Sequence, residues 1–248
     1  MQSNVEELAE FYSSQLGQAA TRSISMALSG IWETSTRDRL LGLGYPVPYL
    51  DKFAGECGQA ICLMPASQGA VQWPLPENCA TAMSYDNEFP LRDGSVDCII
   101  MTHFLEHAEN AHQCLSEAWR VLSTGGQLYI VIPNRRGVWA RFETTPFGTG
   151  SPYSKGQLKN LLRQADFVPE KWGDALHFAP SKREFPLKYW QTAERIARTV
   201  WPVFAGVVLV SARKQLYQGI PVTSQVRRRV SIPVLVPQGT GRANRSHR

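Results

Sequence analysis

Two short hydrophobic runs flank an amphipathic segment in the middle of the chain. The first run spans residues 96–101 (VDCIIM) and the second spans residues 127–132 (QLYIVI). Each has the length and apolar character of a strand buried on both faces. Between them an apolar stripe recurs at spacings of three and four residues, which is typical of a helix: Leu115, Ala118, Trp119 and Leu122. We expect Gly125 and Gly126 to end this helix.

The strand, the helix and the second strand follow one another closely enough to form a right-handed parallel crossover. Such crossovers build open, doubly wound sheets, so the pattern predicts an α/β fold. Further elements are predicted from the same kind of pattern: strands at Gln59–Pro65, Phe167–Trp172 and 203–212, and helices at Lys155–Ala165, with Ser154 as N-cap, and Leu187–Val200.

The N-terminal residues show a helical pattern of their own. Apolar positions recur at helical spacing over residues 5 to 35: Leu8, Phe11, Tyr12, Leu16, Ile24, Ala27, Leu28 and Ile31. We therefore divide the chain into an N-terminal helical segment at 1–34, an α/β domain at 35–218 and a tail at 219–248.

The tail is basic and rich in proline, glycine and serine. It holds six arginines and no Asp or Glu, so it contributes +6 to the net charge of +5 and leaves −1 for the rest of the chain. This composition is typical of a disordered end, although residues 230–236 (VSIPVLV) have the character of a short extended segment. A basic tail can bind nucleic acid, but a solvated end is commoner, and nucleic-acid binding is not favoured.

The overall composition is that of a soluble globular protein. The chain has 248 residues, of which 43% are hydrophobic and 19% charged, enough for one large core. The N-terminal sequence MQSNVEELAEFY lacks the features of a secretory signal. The apolar stretch Trp201–Val210 contains a proline and is shorter than the about 20 residues that span a bilayer. We expect a cytoplasmic protein without a membrane partner, and the pattern carries no signal for an oligomeric state.

Several segments resemble one enzyme family. The runs FPLRDGSVD, FLEHAEN and EAWRVLSTGGQLYIVIPN are similar to the central part of class I S-adenosylmethionine-dependent methyltransferases, especially the small-molecule, type 11-like members. The resemblance continues at SPYSKGQLKNLLRQADF and at VVLVSARK. It implies a Rossmann-like, three-layer α/β/α fold with a mostly parallel seven-stranded sheet whose last strand is antiparallel. It also implies that the N-terminal helices cover a substrate pocket, and simple packing against the core is the alternative for them.

The segment Arg39–Phe53 (RLLGLGYPVPYLDKF) lies where this family places its first strand and nucleotide loop. The family pattern is an acid followed by three glycines at alternate positions, and these four positions are here Gly42, Gly44, Pro46 and Pro48. Because proline lacks an N–H donor, this loop cannot offer the usual set of amide hydrogens. The carboxylate that usually fixes the amino-acid end of the cofactor is missing at Gly42.

The next two strands depart from the family pattern as well. At the end of the second strand, the acid that would bind the ribose hydroxyls is replaced by Met64, whose thioether is a weak acceptor. After the third strand, Asp86 or Glu88 stands where family members place an acid near the adenine, with a turn or surface role as the alternative for each. The resemblance thus assigns a set of cofactor-binding positions: Gly42, Gly44, Tyr45, Met64, Asp86, Glu88 and His103.

The fourth strand is followed by the letters H-x-x-E-H, from His103 to His107. This spacing also occurs in a class of zinc peptidases, where it lies within a longer helix. Here His103 follows directly on a strand, so we predict no metal. In the methyltransferase interpretation His103 ends the strand beside the cofactor pocket, and Glu106 and His107 open the following helix or loop. His103 and His107 are the candidate general bases.

The loop after the fifth strand, Ile132–Ser154, is rich in glycine, proline, aromatic residues and arginine. Ligands bind at the carboxyl ends of strands in such folds. The candidates for substrate binding are therefore four residues of this loop: Asn134, Arg135, Arg136 and Trp139. For each arginine, a simple surface position is the alternative.

Two functions remain open from the sequence. The first is a methyltransferase that uses S-adenosylmethionine to methylate an unidentified small or medium-sized acceptor. The second is a catalytically inactive methyltransferase-like domain that serves as a binding or regulatory module. The second hypothesis is motivated by the altered cofactor positions Gly42, Pro46, Pro48 and Met64.

Overall fold

The computed structural model describes residues 4–33, 39–74, 76–180 and 205–216, and all of them lie in one compact unit within Met1–Gln218. Its strands are β1 (Arg39–Gly44), β2 (Gln59–Pro65), β3 (Thr81–Ser84), β4 (Val96–Thr102), β5 (Leu122–Pro133), β6 (Phe167–Ala175) and β7 (Val207–Lys214). Its helices are α1 (Val5–Ser13), α2 (Gln15–Ile31), α3 (Val47–Ala54), α4 (Ala111–Val121) and α5 (Lys155–Gln164), with short 3₁₀ turns at Pro76–Asn78, Trp139–Arg141 and Pro146–Gly148.

The seven strands form one sheet in the order β3-β2-β1-β4-β5-β7-β6. The pairs from β3 to β5 are parallel, whereas β7 runs antiparallel to both of its neighbours, β5 and β6. The prediction of a doubly wound, mostly parallel sheet with an antiparallel last strand is confirmed.

Helices bury the sheet on both faces. Successive side chains of a strand point to opposite sides, so neighbouring strand residues belong to different cores. On one face, alternate strand residues such as Leu40, Cys98 and Tyr129 pack against α1, α2 and α3. On the other face, their neighbours in the strands, such as Leu41 and Ile99, pack against α4 and α5. The result is the three-layer arrangement that the sequence predicted.

The boundary between α4 and β5 differs from the prediction. Helix α4 ends at Val121, and Leu122 already has an extended backbone that pairs with Val96 of β4. Gly125 and Gly126 therefore lie within β5 rather than at the end of the helix. The predicted helix end was wrong because the apolar period of the helix continues into Leu122, which is buried as the first residue of the strand.

The N-terminal residues form two helices with clear start signals. Asn4 caps α1 in a capping box with Glu7, and Ser14, which separates the two helices in an extended conformation, caps α2. Helix α2 packs beside β6 and β7, the antiparallel strands of the sheet. There the Ser23 hydroxyl accepts a hydrogen bond from the Leu176 amide at 3.1 Å. Helix α1 reaches the carboxyl ends of β1 and β4, where Tyr12 contacts His103.

Two elements predicted from the sequence fall outside the described residues. They are the predicted helix at Leu187–Val200 and the basic tail at 219–248. Across the described ranges, no helix is both long enough and apolar enough to cross a membrane.

Candidate functional site

Strands β1 and β4 are neighbours in the sheet, but the chain leaves them toward opposite faces. Helix α3 follows β1 on one face, and α4 follows β4 on the other. The last residues of the two strands, Gly44 and Thr102, are paired in register, so Tyr45 and His103 emerge side by side. A switch point of this kind opens a crevice at the carboxyl ends of the strands, which is where doubly wound sheets bind ligands.

His103 is held at this crevice in an unusual backbone conformation. Its φ angle is +50°, in the left-handed region that residues other than glycine seldom adopt. Its carbonyl accepts a hydrogen bond from the Gln68 side-chain amide at 3.2 Å, and its side chain is almost completely buried. Strain of this sort costs about 1–3 kcal/mol and is found preferentially at functional sites.

The imidazole of His103 lies between a carboxyl group and a phenol. Its Nε2 is 2.7 Å from the hydroxyl of Tyr12, and its Nδ1 is 3.4 Å from Oε1 of Glu106. Nδ1 of His103 and Oε1 of Glu106 are thus close together, but they do not form a well-aligned hydrogen bond. A carboxylate behind an imidazole favours the tautomer with the proton on the facing nitrogen. We therefore assign the proton to Nδ1, which leaves Nε2 as the acceptor toward the crevice.

Tyr12 comes from α1 and inserts its ring into the crevice. Its hydroxyl is also 3.0 Å from the hydroxyl of Tyr49, and its ring stacks on Tyr45 with centroids 5.7 Å apart and planes 20° apart. Burial, followed by the proximity of Tyr49, raises the pKa of Tyr12 well above its ordinary value. Burial also raises the pKa of Tyr49. Both phenols are therefore protonated at neutral pH and can donate hydrogen bonds.

Aromatic residues of the loop after β5 complete the wall around His103. The ring of Phe147 lies 5.0 Å from the imidazole and 6.0 Å from the ring of Phe11 on α1. Trp139 packs edge-on against Phe147 at 5.4 Å and donates its indole N–H to the carbonyl of Phe178. Trp139 thus supports the wall from behind. The arrangement keeps water away from His103, since all of these side chains except Phe11 and Phe178 are fully buried.

Several buried polar atoms at the end of β4 have no hydrogen-bond partner among the described residues. They include both carboxyl oxygens of Glu106, the hydroxyl of Thr102, Nδ1 of His103 and Nε2 of His107. A buried carboxylate is costly unless a positive or hydrogen-bonding group compensates it. This corner of the crevice therefore favours a ligand that brings positive charge or donors to Glu106.

His107 lies next to the site but faces the loop after β5. The loop is fixed there because the Ser151 amide donates to the Glu106 carbonyl at 2.8 Å. Gly150 has a φ of +75°, and a side chain at this position would lie 3.0 Å from the His107 ring. Burial lowers the pKa of His107, an effect that Glu106 opposes and His103 reinforces. His107 is thus neutral at physiological pH.

The two glycines of the first strand are required by the packing of the chain itself. Gly42 lies inside β1, and a Cβ there would be 2.6 Å from the ring of Pro46. Gly44 has a φ of +82°, and a Cβ there would be 2.1 Å from the carbonyl oxygen of Thr102. The amide of Tyr45 donates to the same carbonyl at 2.8 Å. Gly44 and Tyr45 therefore form the tight turn at the edge of the crevice, and Gly42 lies below it.

The remaining cofactor-binding candidates are spread more widely. Met64 is buried at the end of β2, and its sulfur accepts the Val71 amide at 3.3 Å, so its thioether is engaged by an internal contact. Asp86 is half-buried after β3, where burial and then Glu109 raise its pKa. Glu88 is exposed, and its backbone bridges to Tyr85. The structure thus gathers Gly44, Tyr45 and His103 at the crevice.

The four substrate-binding candidates of the loop after β5 have different environments. Asn134 is buried, donates to the Ala205 carbonyl at 2.8 Å and accepts the Arg136 amide at 3.2 Å. Arg135 and Arg136 are exposed. Trp139 is the buried support of Phe147 described above. Of the four, Trp139 is thus connected to the wall of the crevice.

Three residues of the site were not assigned to it from the sequence: Tyr12, Tyr49 and Phe147. Tyr12 and Tyr49 have no sequence signal beyond their place on an amphipathic helix. A tyrosine on a buried helical face does carry a hydroxyl that needs a partner, and that is the one hint available.

The sheet order, the switch point and the crevice define a class I methyltransferase fold. Solved structures agree. A methyltransferase from Thermotoga maritima, described as a possible histamine N-methyltransferase, superposes with a TM-score of 0.59 at 17% identity, over 85% of this chain and 96% of that one. Geranyl diphosphate C-methyltransferase from Streptomyces coelicolor, solved with Mg²⁺, geranyl diphosphate and S-adenosyl-L-homocysteine, gives 0.53 at 14% identity, over 79% and 76%.

Sequence comparisons match part of the chain to methyltransferases. Residues 47–130 match the family described as methyltransferase domain. A probable S-adenosylmethionine-dependent methyltransferase of Mycolicibacterium smegmatis is 34% identical over 94 residues, which are 37% of this chain and 36% of the relative. The match thus spans about a third of that relative's length. The resemblance of this chain to the class I S-adenosylmethionine-dependent methyltransferases is confirmed.

Proposed function

We propose that this protein is an S-adenosylmethionine-dependent methyltransferase that methylates a small or medium-sized acceptor in the crevice beyond β1 and β4. The observation that carries the proposal is the His103–Glu106 pair. Nε2 of His103 faces the crevice, and the Glu106 carboxyl group lies 3.4 Å behind Nδ1. The fold does not need a buried, oriented imidazole in a strained turn at the switch point. Its presence there supports a role as a base.

The charge of the site fits the cofactor at one end. S-adenosylmethionine carries a positive sulfonium and an ammonium group, and the buried Glu106 carboxyl oxygens lack hydrogen-bond partners within the described ranges. Glu106 is therefore the residue we assign to the positive end of the cofactor, and Gly44 supplies the tight turn beside it. At the ribose end, methionine occupies the position where the resemblance expects an acid. The Met64 sulfur accepts the Val71 amide there.

The residues of the crevice provide positioning, water exclusion and a base. The bound cofactor supplies an electrophilic methyl group, which needs in-line orientation more than it needs acid catalysis. Nε2 of His103 accepts the proton of the acceptor, and Glu106 stabilises the resulting imidazolium. Tyr45 and Phe147 keep bulk water out, which strengthens both electrostatic effects.

A second function is favoured by one specific observation. The position of the ribose acid is filled by a buried methionine, and the position of the amino-acid-binding acid is filled by Gly42, where a Cβ would collide with Pro46. Neither position can hold a carboxylate without rebuilding the local packing. This supports a methyltransferase-like module that binds a partner ligand in the crevice without catalysis.

Calorimetric titration with S-adenosylmethionine and S-adenosylhomocysteine tests the proposed function. We expect saturable binding of both, and about tenfold weaker binding of S-adenosylmethionine to Glu106→Gln, because its positive charge is no longer compensated. Glu77→Gln is the matched control, since Glu77 is an exposed carboxylate outside the predicted cofactor positions, and it should bind like the wild type. If the wild type binds neither ligand at millimolar concentration, the enzyme proposal fails and the binding-module function replaces it.

A further inference from the structure

The crevice contains a phenol that belongs to the protein itself. The Tyr12 hydroxyl lies 2.7 Å from Nε2 of His103 and 3.0 Å from the Tyr49 hydroxyl. With the proton of His103 on Nδ1, the Tyr12 hydroxyl donates to Nε2 and accepts from Tyr49. Both hydrogen-bonding roles of a phenol are therefore satisfied at this point of the site.

The ring of this phenol is held as specifically as its hydroxyl. Tyr45 stacks on one face of the Tyr12 ring, while Tyr49 meets the ring at a steep angle of 87°. Both residues lie outside α1, so these contacts remain for another ring when α1 moves. Offset stacking combined with edge contacts is the environment that aromatic rings prefer. The site is thus a slot for a flat ring with a hydroxyl directed at a base.

Helix α1, which carries Tyr12, is a short element outside the sheet. It has nine residues and is separated from α2 by the extended residue Ser14. Isolated helices of this length are marginal in water, so α1 owes its stability to packing through Val5, Leu8 and Tyr12. An element with these properties opens at lower cost than the sheet does. Displacing α1 would expose His103, Tyr45 and Tyr49 together.

From these contacts we propose that the methyl acceptor is a phenol, and that its ring and hydroxyl take the place of the Tyr12 side chain when α1 moves aside. The inference rests on the proposed methyltransferase function and names the substrate class for it. Tyr12 then has a second role, since it closes the slot whenever no acceptor is present.

The transfer step follows from the same contacts. The hydroxyl proton of the acceptor passes to Nε2 of His103 while its oxygen forms a bond to the methyl carbon. The carbon–sulfur bond breaks, and its electron pair remains on sulfur. The products are an aryl methyl ether, S-adenosylhomocysteine and an imidazolium beside Glu106, which returns its proton to water when the slot opens.

The binding test uses the full chain without cofactor and three small probes. 4-Methylphenol reproduces the Tyr12 side chain, toluene lacks its hydroxyl, and 4-methylaniline replaces the hydroxyl with an amine. We expect Tyr12→Ala to bind 4-methylphenol at least tenfold more tightly than the wild type and at least tenfold more tightly than either other probe. Leu8→Ala loosens the same face of α1 without emptying the slot, so it should show no such selectivity.

A second variant tests the role of His103, and a transfer assay tests methylation of the phenol. Adding His103→Asn to Tyr12→Ala should reduce the preference for 4-methylphenol over toluene at least severalfold, because the Tyr49 hydroxyl is then the remaining partner of the pair. The wild type, supplied with methyl-labelled S-adenosylmethionine, should label 4-methylphenol or catechol as the ether. Equal binding of phenol and toluene, or labelling of 4-methylaniline alone, overturns the inference. Absence of cofactor binding instead overturns the proposed function, and calorimetry distinguishes the two failures.

Discussion

The Tyr12 hydroxyl and Nε2 of His103 are 2.7 Å apart although 91 residues separate them in the chain. This hydrogen bond joins the first helix to the end of the fourth strand at the centre of the crevice. The N-terminal segment is therefore part of the candidate active site rather than an appendage to the α/β domain. The predictions below test this contact and the groups around it.

Replacing His103 with asparagine should abolish most of the methyl transfer. Asparagine tolerates the left-handed backbone of this position better than other residues do, so the fold should be retained. Loss of a general base lowers turnover by about 10²- to 10⁴-fold. The measurement is kcat over pH 6 to 9 with an acceptor that supports turnover by the wild type. His112→Asn, on the exposed surface, is the control, and equal rates for the wild type and His103→Asn would rule out a base at this position.

Tyr12→Phe should destabilise the protein while leaving its ring in place. The change leaves Nε2 of His103 and the Tyr49 hydroxyl without their shared partner, and an unsatisfied buried polar group costs about 1–3 kcal/mol. Urea unfolding monitored by circular dichroism measures the loss. Tyr85→Phe serves as the control, because Tyr85 is 71% exposed and should change the free energy of unfolding very little. Equal stabilities of the two variants would contradict the contact.

His107 should make the free energy of unfolding depend on pH. Burial lowers its pKa in the folded protein, so the unfolded chain binds a proton more readily. Stability from this group is complete above the unfolded pKa of about 6.5 and is lost as the pH falls below it toward the folded pKa.

Urea unfolding at pH 5 to 8 measures this dependence. The stability of the wild type should fall between pH 7 and pH 5, and His107→Gln should show a smaller fall. His112→Gln should behave like the wild type, because His112 is exposed. A fall of the same size in His107→Gln would exclude His107 as its source.

Two glycines with similar φ angles should respond differently to alanine. Gly44 has a φ of +82°, and a Cβ there would meet the Thr102 carbonyl at 2.1 Å. Gly125 has a φ of +72°, and a Cβ there would meet nothing within 4 Å. We expect Gly125→Ala to cost about 1–2 kcal/mol from backbone strain alone and Gly44→Ala to cost several kcal/mol more or to prevent folding. Thermal unfolding of both variants makes the comparison, and equal melting temperatures would contradict the close approach at Gly44.

Much of the fold could be predicted from hydrophobic periodicity because most strands and helices have one clear apolar pattern. Strand β2, Gln59–Pro65, matches its predicted bounds, and α5 begins after the predicted N-cap Ser154. The end of α4 was misplaced because Leu122 suits both the helix stripe and the buried strand. Its pairing with Val96, 26 residues earlier, decides between the two.

The site was predictable where it depends on position along a strand. Gly44 ends β1, and Tyr45 and His103 follow β1 and β4 directly, so the sheet topology brings the three together. The role of Tyr12 was not predictable, since the spacing of α1 shows which face is buried but not what it meets. The resemblance predicted an acid at the position that Met64 occupies, whereas the contact of its sulfur with the Val71 amide depends on loop geometry and was not predictable.

Gln68 connects the first helix to the strained turn at His103. Its backbone carbonyl accepts the Val5 amide at 2.9 Å, and its side-chain amide donates to the His103 carbonyl at 3.2 Å. A ligand that relaxes the turn must therefore pull on the first turn of α1 through a single buried residue. Hydrogen exchange at the Val5 amide should therefore report whether the crevice is occupied.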